Sequence, residues 1–507
     1  MARLFEYQAK ALLQRHGITT PAGEVASSPG AARAAAERLD GPVMVKAQAW
    51  VTGRAEAGGV RRAASPAEAE AAAAAILAKP LKGFPVGLVL VERQVTVSRE
   101  LYAGVTISDR HRCPVLMVSL EGGTGVEERA RTGRMGTLPL PVRDRVEEYA
   151  IRNLLRQLGF EAGELVRVAA AVTNLCRMAR ACEARVAEIN PLAVTSTGEV
   201  VALDARVSID DHAVFRHPDL GIEMAREMDR PPTPLERVAH AVESADFRGT
   251  FFFAQTETQV VAGQGVVGFH GSGGGGAMMS MDALVGQGLR PANYCDTSGN
   301  PPASKVYRAA RIILAQRGID GYFLSGSGAA SQEQFHAARG LAKAFREVGL
   351  HVPAVLRLGG NGETEAVAII QEFCSDLPAP VEAYGHEKSA GECAARLVEL
   401  MRAPRRRAAP SRARSSPPPD AYTFEIPTGR IAINQAACLA CAAKPCIAAC
   451  PPQILELREG RAALKIPPEE AKRGGCIECL ACELACQARG RDALWIELPI
   501  PGLAEAW

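Results

Sequence analysis

The chain has 507 residues, 47% hydrophobic and 22% charged, which excludes wholesale disorder and predicts three or four domains at roughly 100–200 residues each. A formal net charge of +2 provides no basic field of the kind a general nucleic-acid binder carries, so no nucleic-acid partner is expected. No run of about 18 uncharged apolar residues occurs and the N-terminal decapeptide lacks the apolar core of a secretory signal, so the expectation is a cytoplasmic protein without a membrane segment.

In chain order, the first block runs over 1–232. Helical periodicity covers 6–16, 29–39 and 66–77, and strand-like runs cover 43–46, 86–91, 115–119 and 200–204. Helices at 145–158 and 164–181 separate the last two strands. Prolines 231, 232 and 234 close the block. The second block, 238–400, alternates strands (265–269, 321–324, 352–358) with helices (303–317, 331–348, 363–373), the pattern of a doubly wound parallel sheet. Residues 402–420 carry six arginines, several prolines and no apolar period, and read as a solvated linker. The third block, 421–507, is short and rich in cysteine.

Cysteine is the informative residue. Of 14, six (Cys113, Cys176, Cys182, Cys295, Cys374, Cys393) are scattered and read as buried thiols. The other eight form two runs, Cys438-x2-Cys441-x4-Cys446-x3-Cys450-Pro451 and Cys476-x2-Cys479-x2-Cys482-x3-Cys486. The second has bacterial ferredoxin spacing; the first has two extra residues in its middle loop. In that pattern the fourth cysteine of each run reaches the other cluster. One [4Fe–4S] site then takes Cys438, Cys441, Cys446 and Cys486, and the other takes Cys476, Cys479, Cys482 and Cys450. Paired structural zinc sites are the alternative, although two such runs exceed what zinc requires. The block resembles two-cluster [4Fe–4S] ferredoxin domains.

Several residues of the first block suit nucleotide chemistry. Lys46 ends an apolar strand, from which its charge can reach a phosphate. Gly53-Arg54 and Gly58-Gly59 make a loop whose N–H groups can close over phosphates. Glu188, Asn190 and Asp204 offer the hard oxygen ligands that Mg²⁺ prefers. No G-x4-G-K-[ST] phosphate loop is present, so a different nucleotide fold is required.

Six segments then occur in a telling order: Leu4-Phe5-Glu6-Tyr7-Gln8-Ala9-Lys10, Val45-Lys46-Ala47-Gln48, the stretch 53–60, Arg99-Glu100-Leu101-Tyr102, Glu188-Ile189-Asn190-Pro191-Leu192 and Phe215-Arg216-His217-Pro218-Asp219-Leu220. Over about 1–400 the chain resembles the β subunit of succinyl-CoA synthetase, an ADP- or GDP-forming acid–thiol ligase. The resemblance implies an ATP-grasp fold in the first block and a flavodoxin-like ligase domain in the second. It implies that Lys46, Gly53 and Arg54 hold the phosphates of ATP or GTP, that Glu92 and Glu100 belong to the nucleotide site, and that Asn190 and Asp204 hold Mg²⁺. It also implies a partner α subunit, which supplies the phosphorylated histidine and the CoA-binding domain, so that this chain is half an enzyme with CoA as a shared substrate.

Departures from the family pattern fall at the site. Ala55 replaces a glycine, and Glu56 stands where a lysine is usual. The family's substrate loops become Ser272-Gly273-Gly274-Gly275 and Gly328-Ala329-Ala330, leaving Ser272, Gly273 and Gly328 as a candidate acid-binding loop and no assigned catalytic residue. Gly271 to Gly276 fits G-x-G-x-x-G after a strand, with Asp296 about 20 residues on, but no helical pattern opens behind it and a polyglycine turn is the simpler reading. His270 reads as a hydrogen-bonded loop histidine rather than a phosphoryl carrier, and Cys295 as a buried thiol. Two functions are in play: a β-type acyl-CoA ligase subunit fused to a ferredoxin module that serves a redox partner oxidoreductase, or an electron-transfer subunit whose ligase-like body is a scaffold or nucleotide sensor.

Overall fold

A computed structural model describes residues 2–123, 135–143, 146–222, 224–226, 230, 232–299, 301–326, 328, 333–403 and 416–506. Among these, no helix is long and apolar enough to cross a membrane. The chain divides into two compact units, Met1–Pro231 and Pro232–Trp507, and the break falls inside the proline cluster.

The first unit has two antiparallel sheets. The smaller orders its strands Gly23–Ala26, Val89–Arg93, Val43–Ala47 and Val60–Ala63. Helices Pro29–Leu39 and Pro66–Leu77 cover one face. Each starts where the sequence dictates, because a serine hydroxyl (Ser28, Ser65) accepts from a first-turn N–H and proline occupies the first helical position. Strand alternation then sorts the side chains. Val43, Val45, Ala47, Val89 and Val91 pack beneath the helices, which turns Met44, Lys46 and Glu92 to the opposite face.

The larger sheet runs Ala2–Arg3, Ala205–Ile209, Ala184–Thr195, Val97–Ser108, Cys113–Ser119, Met135–Pro139, with Val200–Ala202 also on Ala184–Thr195. Helices Glu6–Arg15, Glu148–Gln157 and Ala162–Ala181 back it. Leu101, Ala103, Ala187, Ile189, Ala205 and Val207 face that core, so Tyr102, Glu188, Asn190, Asp204 and Arg206 face away from it. The same period of two gives both sheets a polar face. The long strands Val97–Ser108 and Ala184–Thr195 went unpredicted because charged residues and Pro191 interrupt their apolar runs.

The second unit contains a mostly parallel sheet in the order Phe252–Gln255, Asn293–Asp296, Val266–Ser272, Gly321–Gly326, Ala354–Arg357, Val381–Tyr384, with only the first strand antiparallel to its neighbour on this path. Helices Pro234–Ala245, Ala303–Leu314, Phe335–Val348 and Glu363–Cys374 pack into one core; Gly274–Gly286 and Ala390–Arg402 pack into another. A helix does open on the glycine run, against expectation. Three glycines, each about 1 kcal/mol worse than alanine in a helix, hide its pattern. Burial of Ala277, Ser280 and Leu284 compensates, and the strand passes so close that a Cβ on Gly271 would overlap Ala277.

Residues 421–506 form a three-stranded antiparallel sheet (Tyr422–Ile426, Gly429–Ile433, Leu494–Glu497), a hairpin (Leu455–Arg458 with Arg461–Leu464) and short helices that include Pro445–Ala448 and Ala481–Arg489. This block belongs to the Pro232–Trp507 unit. Its Phe424, Ile431, Leu484 and Ile496 share one apolar core with Ile312, Phe345 and Leu356 of the parallel-sheet region. Of the predicted linker, residues 404–415 lie outside the described residues.

Candidate functional site

A cavity of about 790 Å³ in the first unit is bounded by the polar faces of its two sheets, including Lys46, Glu92, Asn190 and Asp204, and by the 49–56 loop. At its base lies a buried charge network. Glu6 pairs with Lys10 at 2.9 Å, Lys46 at 3.1 Å and Arg54 at 2.7 Å. Glu92 pairs with Lys10 at 2.5 Å and with Lys46. The Leu203 carbonyl accepts from both lysines at 2.7 Å. Burial alone would push the Glu6 carboxyl up, but Lys10, Lys46 and Arg54 together hold it well below the usual carboxylate range. Burial disfavours the Lys46 ammonium, and Glu6, Glu92 and Asp204 more than offset that, raising its pKa. These cations therefore stay charged in a poorly solvated place.

Arg54 completes the network. Its Nη2 lies 2.7 and 2.8 Å from the two Asp204 oxygens, and its Nη1 donates to the Ala47 carbonyl at 3.0 Å. Burial and the nearby Glu6 charge raise the Asp204 pKa against the pull of Arg54. Asn190 is braced by both halves of its amide: Oδ1 accepts from Gly123 N at 2.6 Å and Nδ2 donates to Gly123 O at 3.1 Å. Oδ1 keeps a second lone pair for a cation. Beside it, burial and the Glu188 charge push the Tyr102 hydroxyl pKa up, with Arg206 opposing.

The candidate phosphate loop turns at Gly53, whose φ of +64° suits glycine. Two charged groups crowd it: a Cβ on Gly53 would meet Lys82 Nζ at 3.2 Å and Glu56 Oε2 at 3.4 Å. Lys82 also donates to Thr52 O at 2.8 Å. The carboxylate of Glu56 thus has an ammonium close by. Glu100 is exposed on strand Val97–Ser108 beside Gly123 and does not line the cavity, whereas Glu92 does.

In the second unit, Ser272 and Gly273 sit at the carboxyl end of a parallel strand, the edge where such sheets bind ligands. Ser272 Oγ donates to Ser298 O at 3.1 Å, and Gly273 N donates to Asp296 Oδ1 at 2.9 Å. The Asp296 carboxylate is therefore engaged in holding its own loop. Gly328, at φ +74°, follows the adjacent strand, and a Cβ there would overlap the Arg357 guanidinium. Ala329 and Ala330 lie outside the described residues. His270 is fully buried between the Tyr322 hydroxyl (2.6 Å) and Thr297 Oγ1 (3.1 Å), and burial lowers its pKa to about 3. Cys295 is wholly buried, which pushes its thiol pKa up.

All eight clustered cysteines are buried and none forms a disulfide. They group across the two runs. Cys446 and Cys486 lie against each other, with Cys482 and Cys438 both near Cys446. Cys450 stands with Cys476, Cys479 and Cys482 around a small apolar void. Backbone N–H groups of Ala462 and Ala493 donate to Cys438 and Cys486 sulfurs at 3.2 Å. Such donors favour thiolates, so the donor set suits a thiolate-ligated group.

Three residues at the cavity escaped notice as site residues: Glu6 and Lys10 of the charge network, and Tyr102. A signal was available for the first two. Glu6 and Lys10 stand four apart on the same buried helix face as Ala9 and Leu13, where unpaired charge would not be tolerated.

Residues 3–194 match the ATP-grasp domain family. Over 401 residues the chain is similar to the β subunit of the ADP-forming succinate–CoA ligase of Rubrobacter xylanophilus, with 35% identity, covering 79% of this chain and 98% of that one. The β subunit of the GDP-forming ligase of Thermus thermophilus matches at 35% over 370 residues, covering 73% and 93%. ATP citrate lyase from Methanothrix soehngenii, solved with citrate and coenzyme A, shares the fold at a TM-score of 0.65 and 17% identity, covering 78% of this chain and 99% of that one. Fold and cavity together define an ATP-grasp chain of the CoA-ligase type. The chain belongs to the succinate–CoA ligase β-subunit family, whose members are acid–thiol ligase subunits that require an α subunit.

Proposed function

We propose that the chain is the β-type subunit of an NDP-forming acyl-CoA ligase and that its 421–507 block is a ferredoxin-like module carrying two [4Fe–4S] clusters. The observation that carries the ligase reading is the convergence of Lys46, Arg54, Asn190 and Asp204 on one cavity. The overall reaction converts nucleoside triphosphate, carboxylic acid and CoA to nucleoside diphosphate, phosphate and acyl-CoA. The terminal phosphoryl group passes to a histidine of the partner α subunit and then to the acid; the CoA thiol displaces it.

Within this chain, Lys46 and Arg54 trade carboxylate contacts for phosphate contacts, while Glu6 and Glu92 keep the cavity floor near neutrality. The Gly53 loop presents backbone N–H groups, and Lys82 offsets the Glu56 carboxylate beside it. Asn190 and Asp204 hold Mg²⁺, which offsets the charge developed on the phosphates during transfer. Asp204 is then shared between the cation and Arg54.

Cys438, Cys441, Cys446 and Cys486 hold one cluster, and Cys450, Cys476, Cys479 and Cys482 the other. The clusters supply one-electron transfer to a partner oxidoreductase. Anaerobically purified protein is expected to contain about eight irons and eight acid-labile sulfides per chain. Stoichiometric zinc in their place overturns the module's assignment. For the ligase, the chain mixed with an α-type subunit, ATP or GTP, CoA and a panel of carboxylic acids should form acyl-CoA. Absence of any acid- and CoA-dependent nucleotide turnover across that panel rules the reading out. The Ala55 and Glu56 replacements in the phosphate loop favour a second reading, an electron-transfer subunit with a nucleotide sensor; it requires tight nucleotide binding without turnover.

A further inference from the structure

Arg339 carries a donor that the polar groups around it leave unused. It lies on helix Phe335–Val348 of the parallel-sheet region, and its side chain is 13% exposed. The guanidinium is held on two sides. Its carbon stands 4.7 Å from the centre of the Phe335 ring, and Nη2 donates to Glu365 Oε1 at 3.0 Å. Nη1 is different. It is shut off from solvent and has no hydrogen-bond acceptor among the described residues. A buried charged donor without an acceptor is costly.

Two observations bring Arg339 to the second cysteine run. Lys343, one helical turn after Arg339 on the same face, is fixed to Glu483 at 2.9 and 3.0 Å. Cys479 stands four residues before Glu483, so this pair sets the approach to helix Ala481–Arg489 against the helix that bears Arg339. The Arg339 charge does reach Cys479: burial pushes that thiol up, and the Ala481 N–H and Arg339 draw it back down. The surroundings strengthen any charge. Cys450, Cys476, Cys479 and Cys482 line a small void whose other walls include Ile431, Leu480 and Ile496. Apolar walls screen little, so a cation acts more strongly there than at the surface.

We infer that Arg339 donates through Nη1 to the group held by Cys450, Cys476, Cys479 and Cys482 and raises the reduction potential of that group. The inference rests on the iron–sulfur reading proposed above. Reduction adds one electron and no proton to a [4Fe–4S] cluster, so the cluster and its thiolates gain one negative charge while the partner oxidoreductase loses one electron. Apolar burial resists that gain and lowers the potential. A fixed cation with a free N–H favours the reduced form and raises it. Glu365 does not cancel the effect, because it is 54% exposed and water screens its charge, whereas Nη1 is dry. A helix of the parallel-sheet region thus sets how readily one cluster of the cysteine-rich block accepts an electron.

The test is a redox titration of the full chain with dithionite, purified anaerobically and read by electron paramagnetic resonance, which gives a midpoint for each cluster. Arg339→Gln keeps the stem and removes the charge. It should lower one midpoint enough to shift the ratio of reduced to oxidised cluster at least about ten-fold, or about 59 mV for one electron, and leave the other in place. Arg339→Lys keeps the charge and should lower it by less than half as much. Glu365→Gln breaks the surface pair, leaves Arg339 charged and should lower neither. Midpoints unchanged in Arg339→Gln, both lowered alike, or a fall in Glu365→Gln as large as in Arg339→Gln overturns the inference. Should Arg339→Gln hold no iron, wild type with isotopically labelled arginine guanidinium nitrogens decides. A nitrogen hyperfine coupling to a reduced cluster that Arg339→Lys loses supports the inference; a coupling absent from wild type, or kept in Arg339→Lys, overturns it. Purified protein that holds no iron or sulfide overturns instead the iron–sulfur reading, and with it the premise.

Discussion

Arg54 Nη2 approaches both oxygens of Asp204, at 2.7 and 2.8 Å, across a sequence separation of 150 residues. The contact joins the loop proposed to hold phosphates to the strand end proposed to offer a cation ligand, so the two halves of the proposed nucleotide site are preset against each other. Arg54→Ala removes a charge-assisted donor worth about 1.5–3 kcal/mol, and Mg·ATP should bind roughly 10- to 100-fold more weakly by calorimetry. Asp204→Asn should abolish the dependence of nucleotide affinity on Mg²⁺. Unchanged affinity in Arg54→Ala would remove this residue from the site.

Glu6 balances three cations in a place it shares with almost no water. Glu6→Gln leaves Lys10, Lys46 and Arg54 undercompensated, and loss of a buried ionic partner costs about 3–5 kcal/mol. The pH dependence has a definite sign. The folded carboxyl is held below its usual range, so its stabilisation is complete above the unfolded value of about 4.3 and is lost as pH falls through that value toward the folded one. Wild type and Glu6→Gln should therefore differ most near neutrality and converge in acid. Urea unfolding followed through Trp50, which stacks on Phe5 at 5.1 Å, reads this locally in a background lacking Trp495 and Trp507. A gap that stays constant from pH 7 to the acid limb would refute it.

How much of this was legible in the sequence depended on range. Helices Pro29–Leu39 and Pro66–Leu77 were readable to the residue because their start signals, a serine followed by proline, are local. Helix Gly274–Gly286 was not, because its stability comes from packing that overrides three glycines. The ATP-grasp assignment was carried by ordered motifs, and the family comparison supports it at that level. The pairing of Lys46 with Glu6 and Glu92 was illegible because strand alternation and a tertiary approach create it together. Likewise, composition marked 402–420 as a hinge, but nothing local announced that Phe424 and Ile431 would share a core with Phe345.

Cys450 makes a sharp case of a residue that should behave as part of the other run. It stands with Cys476, Cys479 and Cys482, while Cys486 meets Cys446. Cys450→Ser should lower iron from about eight to about four per chain, and adding Cys476→Ser should remove no more. Combining Cys450→Ser with Cys446→Ser should strip both sites. If Cys450 and Cys446 instead behave as one site in iron analysis and electron paramagnetic resonance, the crossed grouping is wrong.

Lys343 and Glu483 form a charged bridge between the cysteine-rich block and the parallel-sheet region, with Nζ 2.9 and 3.0 Å from the two carboxylate oxygens and both side chains almost fully buried. Burial disfavours the Lys343 ammonium, but Glu483 and Glu347 more than offset it and raise its pKa. Glu483 also accepts from Ile496 N at 3.1 Å, so its carboxylate is fixed from both sides. Lys343→Met strands that carboxylate and should destabilise the unit by about 3–5 kcal/mol. Lys343→Met with Glu483→Leu removes both charges, although it also leaves Ile496 N without its acceptor, and should recover much of the loss. Denaturant titration of the full chain, followed by far-ultraviolet circular dichroism, separates the outcomes. A double variant no more stable than Lys343→Met would show that the cost arises from lost packing of the lysine stem and not from an uncompensated charge.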